Sequence, residues 1–258
     1  MKKIIISLFA LVFIYSFTPQ DAPNTFTDSR DGKVYKTVTI GEQTWMAENL
    51  AYLPSVVGPA TGSNTEPYYY VYGYDSTDVA TAKATENFQI YGVLYNWPAA
   101  MNGVASSDTD PSGIQGVCPD GWHLPSDAEW TQLETFLANN GHNYDGSTGG
   151  SDRFGVRDKI AISMATERGW KSHRNAGAIG NTEFAEYKNK SGFSALPGGY
   201  RYNVGEFFFL IGYDGHWWCS TERDTGSAWS RYLYFHHSYM DRYNNNKELG
   251  CSVRCIKD

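Results

Sequence analysis

Aromatic and polar side chains that could bind a sugar are concentrated between residues 198 and 222. A sugar presents an apolar ring face to aromatic side chains and hydroxyl groups to polar ones, so sugar sites combine the two. Neighbouring residues on a strand face opposite sides, so we expect at least one of two adjacent indoles to lie in the core. The candidate ligand-binding residues are Tyr200, Arg201, Tyr202, His216, Trp217 and Trp218.

The usual spacings of catalytic and metal-binding residues are absent from the sequence. It contains no CxxC, HxH or HExxH pattern for a metal, and no Gly-x-Ser-x-Gly turn for a nucleophile. We therefore expect a protein that is not an enzyme and needs no cofactor. Segments 108–110 and 241–246 offer carboxylate and amide oxygens, so calcium binding stays an open alternative.

Four cysteines allow three disulfide connectivities. Residues 251–256 read as a closing strand, in which Cys251 and Cys255 would be ~13 Å apart, since each residue adds ~3.3 Å. A disulfide needs Cα atoms within ~7 Å, so Cys251 and Cys255 should not pair with each other. Each should instead pair with either Cys118 or Cys219. Of the two remaining connectivities, we prefer Cys118–Cys255 with Cys219–Cys251.

Composition places the chain among globular proteins that do not bind nucleic acid. Of its 258 residues, 41% are hydrophobic and 16% aromatic, which is far too aromatic for a disordered chain. The formal net charge is −7 and there is no basic run, so binding to nucleic-acid phosphates is not expected. With no internal repeat and no evident linker, residues 23–258 are predicted to form one domain.

The first residues predict export. Lys2 and Lys3 precede an apolar run over residues 4–17, which is typical of a signal peptide and too short for a bilayer core of ~30 Å. We assign residues 1–22 to this signal, with an approximate cleavage point. No later segment reaches ~18 apolar residues, so no transmembrane segment is expected in the mature chain, and a secreted or cell-surface location is predicted.

The elements that would position the candidate site mix helices and strands. Alternation predicts a β-hairpin over residues 34–46. The tyrosine-rich segment 67–74 is interpreted as an aromatic strand packed against a sheet, with a sugar-stacking platform as the alternative. A helix is predicted over residues 127–139, where Ser126 and Glu129 fit a capping box, and a second helix over residues 153–166. Further strands are predicted at residues 207–211, 217–218, 229–235 and 251–256.

Several long sequence blocks resemble a known bacterial family, the Fibrobacter succinogenes major paralogous domain. They follow one another in the order expected for that family and cover nearly the whole mature chain. The resemblance implies an α+β, C-type-lectin-like single domain with mixed, mainly antiparallel sheets and two helices, in an exported protein. It supplies no catalytic or ligand residues. The blocks are residues 28–50, 91–101, 118–130, 192–201, 217–222 and 252–258.

Two cysteines differ from the residues that are usual at their positions in that family. Members usually have serine where Cys219 stands and an aromatic residue where Cys251 stands. The two replacements together fit an additional disulfide between these positions.

These observations support three hypotheses of different kinds. The first is an exported, non-catalytic recognition module on the cell surface that binds polysaccharide or another glycan. The second is a structural or adhesion subunit that acts through protein–protein contacts, for which tyrosine-rich surfaces are equally suited. The third is a relative of the formylglycine-generating enzymes, which share a lectin-like core but need two nearby thiols. Cys219 could be the first thiol, but Asp224 stands at the second position.

Overall fold

The computed structural model describes residues 24–150, 154–202 and 207–258. The predicted signal peptide, residues 1–22, lies outside the described residues. Within the described ranges, no helix has the length and apolar character needed to cross a membrane.

The described residues form a mixed α+β fold in which all pairs of named strands are antiparallel. The strands are β1 (Thr25–Thr27), β2 (Val34–Ile40), β3 (Gln43–Met46), β4 (Tyr69–Tyr70), β5 (Leu94–Tyr95), β6 (Trp122–His123), β7 (Tyr200–Tyr202), β8 (Phe207–Phe209), β9 (Asp214–Asp224), β10 (Ser227–Tyr234), β11 (Met240–Asn246) and β12 (Ile256–Lys257). The helices are α1 (Val79–Lys83), α2 (Glu86–Tyr91), α3 (Trp97–Met101), α4 (Asp127–Asn139) and α5 (Ala161–Met164), with a 3-10 turn at Ala185–Tyr187.

Two larger sheets carry the fold. The first has five strands in the order β1-β2-β3-β12-β6, and the second has three in the order β11-β10-β9. The predicted hairpin over residues 34–46 is confirmed as β2 and β3, and Gly41 adopts φ +64° in its turn, a conformation that suits glycine. Strands β4–β5 and β7–β8 form two small ribbons.

Helix α4 confirms the predicted capping box. The Ser126 hydroxyl accepts from the Glu129 backbone N–H, and the Glu129 carboxylate accepts from the Ser126 backbone N–H. Trp130, Leu133 and Leu137 form the buried apolar stripe of the helix.

The expectation of two helices is wrong. In residues 154–166, the described part of predicted segment 153–166, only the single turn α5 is helical, and all four of its residues are buried. A longer amphipathic helix needs an exposed face, but Ala165 already turns to extended backbone and bridges Ala195. The short helices α1, α2 and α3, which periodicity did not predict, begin at capping side chains: Asp78, Thr85 and Asn96.

Strand β9 separates two hydrophobic cores. Trp217 and Cys219 pack with α4 in one core, whereas Trp218 packs with β5, α3 and Cys251 in the other. This alternation follows from the period of two along a strand.

The closing strand is shorter than predicted. Only Ile256–Lys257 pairs as a strand, between β3 and β6, while Cys251 and Ser252 form single bridges to Tyr95 and Trp217. The tyrosine-rich segment 67–74 is likewise a strand only at Tyr69–Tyr70.

One of the two preferred disulfides is present. Cys118 and Cys255 are joined, with Cα atoms 6.0 Å apart. The second pairing is wrong, because Cys219 and Cys251 are both buried free thiols. Trp217 faces Ser252 in a parallel bridge, which offsets Cys219 from Cys251 by three residues, or about 10 Å along the strands. The two thiols also point into opposite cores.

We expect cysteine alkylation to distinguish these two pairs. Native protein should resist iodoacetamide, because Cys219 and Cys251 are fully buried and burial raises the pKa of both thiols. After denaturation without reductant, peptide mass mapping should find these two cysteines alkylated and Cys118 linked to Cys255. A Cys219–Cys251 crosslinked peptide would contradict this assignment.

A buried ion network joins α4 to the three-stranded sheet. The fully buried Arg231 guanidinium on β10 pairs with Glu134, and its Nη1 lies 2.6 Å from the Asp127 carboxylate. Arg242 on β11 pairs with Asp127 from the solvent side at 2.7 Å. Each charge taken out of water is thereby matched by an opposite one.

We expect Arg231→Met to destabilise the fold by about 3–5 kcal/mol, because the fully buried Glu134 carboxylate loses its close partner. Urea unfolding measures the loss. The double variant Arg231→Met/Glu134→Gln should recover part of it, since the fully buried Glu134 charge is then absent and the partly exposed Arg157 is the group that loses a partner. A single variant as stable as the parent chain would contradict the role of the pair.

A second polar contact holds residue 258 against α4. The His123 ring lies between two carboxylates, with Nε2 2.7 Å from Glu129 and Nδ1 2.7 Å from Asp258. Burial lowers the pKa of His123, but the hydrogen bonds and charges of Glu129 and Asp258 outweigh burial and raise it above its usual value.

The raised pKa predicts a pH-dependent contribution to stability. It should be fully present below pH ~6.5, the usual histidine pKa, and should disappear as pH rises through the raised pKa. We expect urea unfolding of His123→Gln to lack this decline, so that the difference in stability from the parent chain shrinks towards alkaline pH. Parallel pH profiles for the two proteins would contradict the assignment.

Candidate functional site

An aromatic cavity of about 290 Å³ opens over one face of the three-stranded sheet, beside the β7–β8 ribbon. The name aromatic cavity is used below for the space lined by Tyr200, Leu210, Asp214, His216, Tyr232, Tyr234, His237, Tyr243 and Asn245.

Strand register brings these residues together. On β9 and β10, His216 lies opposite Tyr232 and Asp214 lies opposite Tyr234. Since side chains alternate along each strand, these four share the cavity face, whereas Leu233 packs into the α4 core on the other face.

The floor of the aromatic cavity is an Asp–His pair. Nε2 of His216 lies 3.0 Å from Oδ2 of Asp214, and the two residues are 7% and 3% exposed. The remaining polar atoms, Oδ1 of Asp214 and Nδ1 of His216, find no hydrogen-bond partner among the described residues. Burial raises the pKa of the Asp214 carboxyl, and His216 offsets part of that rise.

Aromatic rings form the walls. The His216 ring stacks on Tyr232 with centroids 4.9 Å apart and an interplanar angle of 15°, and it lies 4.6 Å from the Tyr200 ring. Burial raises the pKa of Tyr200 and Tyr232, so their hydroxyls remain protonated and can donate. Tyr243 at the mouth is 56% exposed.

The β7–β8 ribbon continues the aromatic surface beyond the cavity. Tyr200 faces Phe209 and Tyr202 faces Phe207 across the ribbon, so the four rings share one side. Their ring centroids lie within 5.6–6.4 Å of one another in the contacts that they make. Phe207 and Phe209 are each 42% exposed.

The structure places three of the six predicted ligand residues at this site. Tyr200 and His216 line the cavity, and Tyr202 lies on the adjoining ribbon. The prediction for Trp217 and Trp218 is wrong, because both indoles are fully buried and cannot stack on a ligand from solvent. Their N–H groups donate inside the protein, to Oδ1 of Asn49 and to the Tyr95 carbonyl.

The prediction for Arg201 is wrong for a related reason. It alternates with Tyr200 and Tyr202 on β7 and therefore points inward, where it is 1% exposed. Its guanidinium donates to the backbone carbonyls of Pro59 and Glu248. Arg201 thus anchors two loops behind the site and is not available to a ligand.

Sequence reasoning missed Asp214, Tyr232, Tyr234 and Tyr243 as cavity residues. The sequence could have indicated Tyr232 and Tyr234, because alternate residues of a strand share one face and these two tyrosines therefore form one aromatic surface. That signal does not say which residues of other strands lie beside them, because cross-strand register is a tertiary property.

A larger cavity, about 570 Å³, surrounds the His123 pair at the other sheet. Acidic residues dominate its polar lining: Glu42, Asp110, Asp120, Glu129 and Asp258. Both ring nitrogens of His123 are already occupied by carboxylates of the protein. The larger cavity has one lining side chain with a buried polar atom that lacks a partner, Gln132, whereas the aromatic cavity has two that contact each other, Asp214 and His216. We therefore take the aromatic cavity as the candidate site.

Metal and thiol chemistry gain no support from the geometry. Over the described ranges, no group of three or more His, Cys, Asp or Glu side chains is arranged to hold a metal ion. Asp241, in the oxygen-rich segment 241–246, pairs with His237 instead. Cys219 has no thiol beside it, since Cys251 faces the opposite core.

Comparison with known proteins agrees with the resemblance seen in the sequence. The family described as the Fibrobacter succinogenes major domain matches residues 38–257. No curated protein and no solved structure matches the chain significantly. Because the family match extends over most of the chain, the protein belongs to the Fibrobacter succinogenes major domain family.

Proposed function

We propose that this domain is an exported, non-catalytic recognition module that binds a glycan in the aromatic cavity. The observation that carries the proposal is the pair of partnerless polar atoms, on Asp214 and His216, beneath walls of tyrosine. Nine buried polar atoms of the described residues lack a partner, and these are the two that belong to contacting side chains of one cavity, where a ligand can supply the missing bonds.

The chemistry of the cavity suits a sugar ring. Apolar C–H faces of a sugar can pack on Tyr200, Tyr234 and Tyr243, while its hydroxyls reach Asp214 and the Asn245 amide. The volume, about 290 Å³, is at the small end of ligand pockets, so it suits one sugar unit and not a long chain.

Binding is favoured over catalysis by the composition of the cavity. Its lining contains a single carboxylate, that of Asp214, whereas glycoside hydrolysis commonly uses a pair of carboxyl groups. Calcium is not needed for the proposed contacts, which use side chains alone.

Export and a lectin-like fold belong to the same proposal. The basic and apolar start of the chain supports export, as does the Cys118–Cys255 disulfide, which suits an oxidising compartment. For a C-type-lectin-like fold, support comes from β1 and β12, which lie in one sheet near the two ends of the described chain.

A structural or adhesion role through protein contacts is the second candidate. The half-exposed Phe207 and Phe209 on the β7–β8 ribbon favour it, because exposed aromatic side chains are enriched in protein interfaces.

We expect Tyr243→Ala to weaken glycan binding about 2- to 10-fold, because loss of an aromatic contact is worth about 0.5–1.5 kcal/mol. A panel of soluble polysaccharides and oligosaccharides, with calcium and with chelator, would identify the ligand for the purified chain. Titration calorimetry would then compare the parent chain with Tyr243→Ala. Val34→Ala on β2 is the matched control, since Val34 is equally exposed at 56% and lies outside the cavity.

Equal affinity of Tyr243→Ala and the parent chain would remove the aromatic cavity as the site. Absence of binding across the panel would overturn the glycan proposal. Concentration-dependent self-association abolished by Phe207→Ser/Phe209→Ser would then support the structural role.

A further inference from the structure

With Asp214 ionised and the His216 ring neutral, the polar floor of the aromatic cavity only accepts hydrogen bonds. A carboxylate has no proton to donate, so the 3.0 Å contact between His216 and Asp214 places a proton on Nε2 of the ring. In the neutral ring, Nδ1 is then an acceptor. The two partnerless atoms, Asp214 Oδ1 and His216 Nδ1, therefore both call for a group that donates.

The lining of the cavity supplies no permanent positive charge to compensate Asp214; only a protonated histidine could do so. No lysine or arginine is among the residues that line the cavity. Asp214 is 3% exposed, so water stabilises its carboxylate poorly, and its one ionisable hydrogen-bond partner is His216. Elsewhere in this protein the buried carboxylates of Asp127 and Glu134 each pair with arginine, which shows how the same fold neutralises such groups.

The walls favour a cation as well. Tyr200, Tyr232, Tyr234 and Tyr243 line the cavity, and the negative faces of aromatic rings attract an ammonium group placed against them. An ammonium group also supplies up to three donors, which matches a floor of acceptors. A neutral hydroxyl supplies one donor and no charge.

Resting on the glycan-binding function proposed above, we infer that the sugar unit held in the aromatic cavity carries a free ammonium group, that is, an amino sugar whose amine is not acylated. The ammonium lies over Asp214 and His216, and the sugar ring packs between the tyrosines. N-acylation would abolish recognition by removing the charge and adding bulk at the buried floor.

Three oligosaccharides of equal length and linkage test this inference on the purified parent chain. They are the β-1,4 tetramers of glucosamine, of N-acetylglucosamine and of glucose, titrated by calorimetry at neutral pH. The glucosamine tetramer should bind at least about 10-fold more tightly than either of the others. Tetralysine, which offers ammonium groups without a sugar, should bind no better than the neutral tetramers.

Two variants test whether the preference for the glucosamine tetramer depends on Asp214. Asp214→Asn should reduce the preference for the glucosamine tetramer to below about 2-fold, because the floor loses its charge but keeps its shape. Asp31→Asn is the matched control: it removes one negative charge at an exposed turn outside the cavity and keeps the side-chain oxygen that accepts from Lys33. Thermal unfolding verifies that both variants fold. Should Asp214→Asn not fold, the ranking of the ligands on the parent chain still decides the question.

The outcomes separate the two proposals. Equal or tighter binding of the N-acetylated or glucose tetramer would overturn the ammonium inference while leaving the glycan function in place. Tetralysine that binds as tightly as the glucosamine tetramer would show that the sugar is not recognised, and would overturn the inference. If neither these tetramers nor any glycan of the wider panel binds, both proposals fail.

Discussion

Burial of strand β9 on both faces is the constraint on which the rest of the structure depends. The first eight residues of the strand, from Asp214 onward, are all buried. One face meets the stripe of α4, and the other meets the core around β5 and α3. A strand placed in this way offers little solvent-facing surface for polar groups. Ser220 and Thr221 donate to the Ser107 carbonyl, whereas Asp214 and His216 lie where the aromatic cavity approaches the strand. The aromatic cavity is thus located by the packing of the two cores.

Three arginines also lie in the interior of the protein. Arg201, Arg231 and Arg254 are each at most 1% exposed. The guanidinium group of each one donates hydrogen bonds to groups inside the protein. Arg231 neutralises the carboxylates of α4, whereas Arg201 and Arg254 donate to backbone carbonyls of loops. Planar guanidinium groups can satisfy several acceptors at once, which suits them to a fold with many irregular connections. The long loops of this protein are held largely from within.

Sequence patterns predicted the features that depend on neighbours along the chain. The capping box of α4, the β2–β3 hairpin and the alternation of Trp217 and Trp218 all follow from local spacing. What could not be predicted depends on partners distant in sequence. Both indoles are buried because β9 is covered on two sides, and α5 stops after one turn because the core surrounds it. The cavity is lined by residues of four strands, β7, β9, β10 and β11, whose register no spacing reveals, so only Tyr200, His216 and the nearby Tyr202 were anticipated.

The Cys118–Cys255 crosslink has a mechanical consequence. Its sulfurs close a loop of chain with a sequence separation of 137 residues, and the whole aromatic cavity lies inside that loop. When the chain is pulled from points before Cys118 and after Cys255, tension passes through the crosslink and bypasses the enclosed strands. The crosslinked loop therefore cannot extend, which removes about 470 Å of contour length at roughly 3.4 Å per residue. A ligand pocket in this position keeps its shape under a load that would already have drawn out the preceding hairpin.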